Sequence, residues 1–163
     1  MQQLTLTFPE FTLQARDAHK LRGYFGNFFR EHSPLLHNHL EGENEFRYAY
    51  PLVQYKVVDE VPMLIGCNEG AELLLDLFTQ IEAIEIDGKR YRADHKELEC
   101  QLYDHIGYTE DWHTYTFQTP WLALTQKNYK KWQATPPAAR PTMLRQLLIN
   151  HTIAALRGLG HPP

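Results

Sequence analysis

Hydrophobic and polar residues alternate in two different ways near the start of the chain. Leu4, Leu6 and Phe8 alternate with polar residues, which is the period of a half-buried strand. Asp17 is then a candidate N-cap for a segment whose apolar positions recur at helical spacing. Those positions are Leu21, Phe25, Phe28 and His32. The pattern therefore predicts a strand followed by a helix over residues 17–32.

Proline and β-branched residues set the elements that follow. Pro34 should end the helix, because the residue before a proline is pushed out of the helical region. The pattern then favours strands at 46–59 and at 61–67, which we expect to be antiparallel. Pro51 should mark a bulge or an edge position in the first of these strands.

A second helix and a hairpin complete the first predicted domain. A broad apolar face predicts a helix at 69–82, with Asn68 and Gly70 as turn and cap residues. We expect residues 83–94 to form two short strands around an Asp-Gly turn. The order strand, helix, strand, strand, helix, strand is that of an α+β, ferredoxin-like (βαββαβ) fold. We therefore predict that residues 1–94 form an antiparallel sheet with both helices on one face.

The remaining residues, 95–163, do not complete a second domain of this kind. They contain two predicted strands, at 97–105 and 112–124, and a proline-rich hinge. A closing helix at 142–158 carries more apolar surface than a solvent-facing helix should. We therefore predict the beginning of a second ferredoxin-like domain that is incomplete.

Composition narrows the class of protein. Hydrophobic residues make up 43% of the 163 positions, which is enough for a packed core. No apolar run is long enough to cross a membrane, and no signal peptide is evident, so we predict a cytoplasmic protein without membrane contact. Cys67 and Cys100 form no CxxC pair, so we expect both to be reduced and structural. The formal charge of −4 disfavours a surface uniformly dedicated to nucleic acid, but it allows a local basic groove.

Three histidines in the stretch EHSPLLHNHLEGENEF are the first candidates for chemistry. His37 and His39 are two positions apart and could share a zinc ion, although nothing fixes a third ligand. They could equally be polar residues of a loop, or they could move protons near neutral pH. His32 continues the apolar stripe of the predicted helix and could simply be a helix C-terminal residue.

The predicted first helix is also rich in positive charge. Arg16, Lys20, Arg22 and Arg30 surround two glycines, Gly23 and Gly26, whose spacing clears one side for close approach. A solvated helix face and a ligand-binding face are both compatible with this pattern.

Three stretches of the chain resemble a known family. RDAHKLRGYFGNFFREHSPLLHNH, YPLVQYKVVDEVPMLIGCNEGAELLLDLF and TPWLALTQKNYKKW are similar to the amino-terminal part of CRISPR-associated repeat-processing endoribonucleases, the sixth CRISPR-associated family in its b-like branch. The resemblance implies two ferredoxin-like domains and cleavage of precursor RNA in antiviral defence. It also implies chemistry without metal or other cofactor, in which a 2′-hydroxyl attacks the adjacent phosphate and leaves a 2′,3′-cyclic phosphate.

The resemblance also implies roles for particular residues. His37 or His39 would transfer protons, with His32 as a rival and Tyr24 as a helper. The residues expected to bind RNA are Arg16, Lys20, Arg22, Arg30, Lys127, Lys130 and Lys131. The family's glycine-rich loop near the C-terminus is missing from the sequence, so we expect activity to require the missing half of the second domain.

Partners and alternative functions follow from the same residues. We expect CRISPR repeat RNA as the substrate, with other CRISPR-associated proteins or a second copy of the chain as further partners. One alternative is a non-catalytic RNA-binding subunit that stacks bases on Tyr48, Tyr50 and Tyr55. The other is a small metal-dependent hydrolase built on the three histidines.

Overall fold

The chain forms two compact units in the computed structural model. The structure describes residues 1–28, 50–107, 109–118, 121 and 123–161. The first unit comprises Met1–Ile106 and the second Gly107–Pro163. None of the helices in these described residues is both long and apolar enough to cross a bilayer.

The described residues of the first unit form six strands and two α-helices. In chain order these are β1 (Gln2–Thr7), α1 (Ala18–Phe28), β2 (Val53–Val58), β3 (Val61–Cys67), α2 (Glu69–Leu77), β4 (Ala83–Ile86), β5 (Lys89–Arg92) and β6 (Glu97–Leu102). Short 3₁₀ turns precede α1 and follow α2. The predicted mixture of helices with an antiparallel sheet is confirmed.

The main sheet has four strands in the order β2-β3-β1-β6, and every neighbouring pair is antiparallel. This is the strand order of a ferredoxin-like sheet, but its fourth strand is β6 and not the segment 83–94 that the hydrophobic pattern predicted. β6 pairs with β1 from Gln2↔Leu102 to Thr7↔Glu97. The predicted strand at 97–105 therefore belongs to the first unit and not to a second domain.

Both helices cover the same face of this sheet, as predicted. Phe25 of α1 stacks on Tyr55 of β2, with ring centroids 6.1 Å apart. Tyr55 pairs with Leu64, which lies on the same face of β3 as Gly66. Gly66 in turn approaches Gly70 of α2. The two helices therefore enclose one core together with Leu4, Leu6, Phe8 and other buried residues.

The opposite face of the main sheet carries polar residues and a few apolar ones. Thr5 of β1 lies between Ile65 of β3 and Glu99 of β6 on this face. Tyr55 points to the covered face instead and packs against the core. It is therefore not available for stacking RNA bases on the open sheet, as the binding-subunit alternative required. Tyr50 accepts a hydrogen bond from Gln54 at 2.7 Å, and Tyr48 lies outside the described residues.

Close packing of backbone against backbone fixes α2 on the sheet. A Cβ on Gly66 would lie 2.3 Å from the Gly70 carbonyl oxygen, and one on Gly70 would lie 2.3 Å from the Leu52 oxygen. The same Leu52 oxygen accepts a hydrogen bond from the Cys67 amide at 2.8 Å. Gly70 is thus a close-contact residue within α2, and not the cap residue that the sequence suggested; Asn68 is the N-cap.

The segment 83–94 forms a separate hairpin of β4 and β5. Its turn residues Asp87 and Gly88 have φ values of 53° and 73°, as a tight Asp-Gly hairpin turn requires. Ile84 and Ile86 of β4 are buried in the core. Burial of its apolar side beside α1 explains why this hairpin has a strand pattern without joining the main sheet.

The second unit is helical in its described residues. It contains α3 (Gln126–Ala134) and α4 (Arg140–Gly158), joined by a 3₁₀ turn at Pro137–Ala139. The closing helix was predicted, whereas α3 was not. The described part of the segment 112–124 does not form the predicted strand. The described residues of the second unit contain no other strand with which it could pair.

Candidate functional site

Packing of α1 against the sheet determines which of its residues reach the hairpin. Leu21 and Phe25 are completely buried, and Phe25 also stacks on Phe8 with ring centroids 6.1 Å apart. Successive side chains of a helix are about 100° apart around its axis. When Leu21 and Phe25 are buried against the sheet, the preceding residues Lys20 and Tyr24 therefore face β4 and β5. The contacts of both residues with the hairpin agree with this orientation.

Tyr24 lines two adjoining cavities between α1 and the β4–β5 hairpin. One is about 300 Å³ in volume and is lined by Tyr24, Gln80, Glu82, Ala83, Glu85 and Arg90. The other is about 470 Å³ and is lined by Tyr24, Asn27, Glu85, Asp87 and Gly88. We call them together the α1–hairpin groove.

The hydroxyl of Tyr24 is engaged in the structure. It donates a hydrogen bond to the Ala83 carbonyl at 2.8 Å. Burial raises the pKa of Tyr24, the charge of Glu85 raises it further, and Arg90 opposes the shift. The phenol therefore stays protonated at neutral pH. It could serve as a proton donor only by giving up its bond to Ala83.

The charge of the α1–hairpin groove does not suit a phosphate. Among the described residues that line it, the carboxylates of Glu82 and Glu85 outnumber the guanidinium of Arg90, while Asp87 is paired with Lys20. Uncompensated carboxylates disfavour a second negative charge nearby. The surroundings of Tyr24 therefore favour a structural role over contact with a scissile phosphate.

Lys20 is held by two carboxylates. Its Nζ lies 2.8 Å from Asp17 and 2.6 Å from Asp87. The hydrogen bonds that Lys20 donates to these two carboxylates raise the pKa of Lys20, and the bond to Asp17 lowers the pKa of Asp17. Lys20 thereby joins the start of α1 to the hairpin turn, and its charge is largely neutralised. It is a weaker candidate for RNA contact than the sequence suggested.

The other predicted RNA-binding residues divide between the two units. Arg16 and Arg22 are exposed on the first unit and form no salt bridge with another described residue. Lys127, Lys130 and Lys131 are exposed on α3 of the second unit. Their spacing of three and four residues puts them on one side of that helix. The structure thus brings the three α3 lysines together.

The predicted acid–base residues lie outside the described residues. This applies to His32, His37 and His39, and also to Arg30. Their segment, 29–49, begins directly after Phe28, the last residue of α1. The residue before Phe28 is Asn27, which lines the α1–hairpin groove. Within the described residues no group of three His, Cys, Asp or Glu side chains could hold a metal ion.

The distribution of charge along the chain is a signal that our sequence analysis missed. Residues 1–106 contain ten Lys or Arg and 18 Asp or Glu. Residues 107–163 contain six Lys or Arg and two Asp or Glu, and no carboxylate side chain follows Asp111. The overall charge of −4 thus conceals a basic second unit. This unit is the better candidate for binding a polyanion.

Comparisons with known proteins agree with the two-unit division. The family model of the Cas6b N-terminal domain matches residues 1–104, and that of the Cas6b C-terminal domain matches residues 107–162. A search of the curated proteins found no match.

Two solved structures are similar to the chain over nearly its whole length. A crystal structure of Cas6b is 28% identical with a TM-score of 0.88, covering 98% of this chain and 72% of that one. A crystal structure of the CRISPR RNA processing endoribonuclease Cas6b is 25% identical with a TM-score of 0.72, covering 100% of this chain and 72% of that one. The chain belongs to the Cas6b family.

Proposed function

We propose that this chain processes CRISPR repeat RNA as a metal-independent endoribonuclease. The observation that carries the proposal is the match of both Cas6b domains, together with similarity to a solved CRISPR RNA processing endoribonuclease. Such an enzyme would act in the cytoplasm, where precursor transcripts are made. Other CRISPR-associated proteins or a second copy of the chain are proposed as further partners.

The proposed reaction takes its nucleophile from the RNA. The 2′-hydroxyl oxygen forms a bond to the adjacent phosphorus while the bond from phosphorus to the 5′-oxygen breaks. A base accepts the proton of the 2′-hydroxyl, and an acid gives a proton to the departing 5′-oxygen. The products are a 2′,3′-cyclic phosphate and a 5′-hydroxyl. The protein must therefore supply proton transfer and stabilise negative charge on the phosphorane.

We propose His37 or His39 for proton transfer, with His32 as the rival. Imidazole titrates near neutral pH, so it can accept or donate a proton there. Support comes from the sequence, which places three histidines within eight positions directly after α1. Tyr24 is proposed to hold α1, from which this segment continues, against the hairpin through its bond to Ala83, because that bond occupies its only proton.

Phosphate contacts are proposed for the exposed cations. Arg16, in the 3₁₀ turn before α1, and Arg22, on α1, form no salt bridge with another described residue. On α3 the three lysines form one positive face. We further propose that the second unit is the beginning of a second ferredoxin-like domain, since no described residue of α3 or α4 is buried.

Cleavage of a labelled repeat RNA in excess chelator tests the proposal. We expect cleavage to continue and the product to carry a 2′,3′-cyclic phosphate. A substrate with a single 2′-deoxy nucleotide immediately before the cleaved bond should bind equally well and remain uncut, because it lacks the nucleophile. Loss of activity in chelator, or cleavage of the deoxy substrate, would contradict the mechanism.

Substitutions then identify which histidine transfers the proton. Replacing the active histidine by alanine should lower the single-turnover rate by about 10²–10⁴-fold. His95→Ala is the matched control, because this histidine is exposed in the first unit, far along the chain from segment 29–49. Tyr24→Phe should change the rate by only a few fold. An effect of Tyr24→Phe as large as that of a histidine would show that the phenol itself transfers a proton.

A non-catalytic RNA-binding subunit is the second candidate. It is favoured by the acid-free sequence from residue 112 onward, which suits RNA binding without requiring catalysis. Binding of repeat RNA without any cleavage would support this candidate over the endoribonuclease.

A further inference from the structure

The second unit exposes an unusual number of aromatic side chains in one short segment. Trp112 is 101% exposed, Tyr115 87% and Phe117 59%. His113 lies beside Tyr115, with ring centroids 6.3 Å apart. We call these four residues the aromatic strip. Burial of side chains this large is strongly favourable, so their joint exposure indicates a surface that takes up a partner.

The aromatic strip is anchored at one end. Phe117 stacks on Trp121, with ring centroids 5.6 Å apart and the planes 5° from parallel. Trp121 makes an edge contact with His151 of α4 at 5.7 Å. These contacts attach the strip to the helical part of the same unit. A surface that is held in place before binding loses less conformational entropy when the partner arrives.

Charge identifies the kind of partner. No carboxylate side chain occurs from residue 112 to the end of the sequence, whereas six basic residues do. They are Lys127, Lys130, Lys131, Arg140, Arg145 and Arg157. With six basic residues against the two carboxylates of Glu110 and Asp111, the second unit has a positive net charge that attracts a polyanion.

The side chains of the strip fit a nucleic acid with unpaired bases. Aromatic rings stack on bases without regard to sequence, because every base has a π face. The rings of His113 and Tyr115 have centroids 6.3 Å apart and planes 48° from parallel, so they do not sandwich one base, and each ring would stack on a separate base.

We propose that the aromatic strip stacks unpaired bases of the RNA substrate while the lysines of α3 bind its phosphates. The identification of the nucleic acid as repeat RNA rests on the proposed function. The chemistry of the site, which is that of a single-stranded nucleic acid surface, does not depend on cleavage. The second unit would thus contribute base stacking and phosphate contacts to RNA binding.

Binding of a fluorescein-labelled 12-nucleotide oligouridylate, measured by anisotropy with the full chain, tests the stacking. Trp112→Leu keeps an apolar side chain but removes the ring, so we expect affinity to fall by about 5-fold or more. Trp112→Phe keeps a ring and should retain most of the affinity. Leu148→Ala is the control, because it removes an exposed apolar group of α4 outside the strip.

Salt dependence separates the two kinds of contact. Lys130→Ala should reduce the slope of log K against log salt by about 0.7, the value for one phosphate of a single strand. Trp112→Leu should lower affinity without changing that slope, since stacking releases no counterion. Equal slopes in all variants would contradict the assignment of phosphates to α3.

Two outcomes would overturn the proposal. One is binding of oligouridylate by Trp112→Leu with the affinity of the unsubstituted chain. The other is a change in sedimentation coefficient on substituting Trp112 with no change in RNA affinity, which would make the strip a contact between copies. Neither outcome affects the cleavage assay, whose failure would refute the endoribonuclease and leave the stacking surface intact.

Discussion

Gly70→Ala should destabilise the first unit, although alanine is the better helix former. Gly70 lies in the first turn of α2, where an added Cβ would be 2.3 Å from the Leu52 oxygen and 2.8 Å from its carbonyl carbon. Both are backbone atoms, so they cannot rotate away as a flexible side chain would. The matched substitution is Gly23→Ala in α1, where a new Cβ would have nothing within 4 Å.

The expected magnitudes have opposite signs. Overpacking at a site that cannot yield costs about 1–3 kcal/mol. Displacing the Leu52 carbonyl also weakens its hydrogen bond to Cys67, which contributes about 1 kcal/mol. The gain in helix propensity offsets up to about 1 kcal/mol of this. We therefore expect Gly70→Ala to lose about 1–3 kcal/mol and Gly23→Ala to gain about 0.5–1 kcal/mol.

Hydrogen exchange in β1 and β3 is the suitable assay, because both strands belong to the core of the first unit. All three tryptophans, Trp112, Trp121 and Trp132, lie in the second unit. Their fluorescence therefore serves as an internal control that neither substitution should change. If Gly70→Ala protects the amides of β3 as well as Gly23→Ala does, the close backbone contact is not limiting and the reasoning fails.

Two further predictions concern charged residues of the first unit. Lys96→Met should lower the free energy of unfolding by about 1–3 kcal/mol. The Lys96 ammonium donates hydrogen bonds to the carbonyls of Ile81 at 2.6 Å and Ala93 at 2.9 Å, and the substitution removes both. A denaturant midpoint equal to that of the unsubstituted chain would contradict this. Asp17→Asn should be less stable than the unsubstituted chain near neutral pH, because the hydrogen bond from Lys20 lowers the pKa of Asp17 below its ordinary value of 3.8. Because the folded-state pKa of Asp17 is lowered, its ionised carboxylate stabilises the fold above pH 3.8, and this contribution is lost as the pH falls through the folded-state pKa. The difference in melting temperature between Asp17→Asn and the unsubstituted chain should therefore disappear in acid. A difference that persists there would refute the ion pair.

Local patterns predicted the elements of the first unit well. The alternation at Leu4, Leu6 and Phe8 gave β1, and the spacing of Leu21 and Phe25 gave the buried side of α1. These signals are visible because each element buries one side in a common core. The two-residue period of a strand and the 3.6-residue period of a helix then appear directly in the sequence.

Strand pairing was less predictable than strand existence. The hairpin at 83–94 and the strand β6 have similar local patterns, and only long-range packing decides which of them pairs with β1. Periodicity carries no information about a partner that is about a hundred residues away. The same limitation applies to 112–118, whose alternating residues form no strand.

For the candidate site, the sequence identified residue types but not their surroundings. Lys20 looked like a free cation until the structure placed Asp87 beside it. The sequence indicated no partner for the Tyr24 phenol, whereas in the structure its hydroxyl donates a hydrogen bond to the Ala83 carbonyl. Both partners are on the hairpin, more than fifty residues along the chain. The absence of carboxylate side chains after Asp111 was visible from the sequence alone.

The position of β1 between β3 and β6 has a consequence for synthesis of the protein. One side of β1 pairs with β3, which ends at Cys67, and the other side pairs with β6, which ends at Leu102. At about 5–20 residues per second, the ribosome needs about 2–7 seconds to extend the chain from the end of β3 to the end of β6. During that interval β1 presents an unpaired edge of uncharged Gln, Leu and Thr residues, which is open to pairing with other nascent chains. On this side the finished sheet ends instead on β6, where the charged residues Glu97 and Glu99 disfavour such pairing.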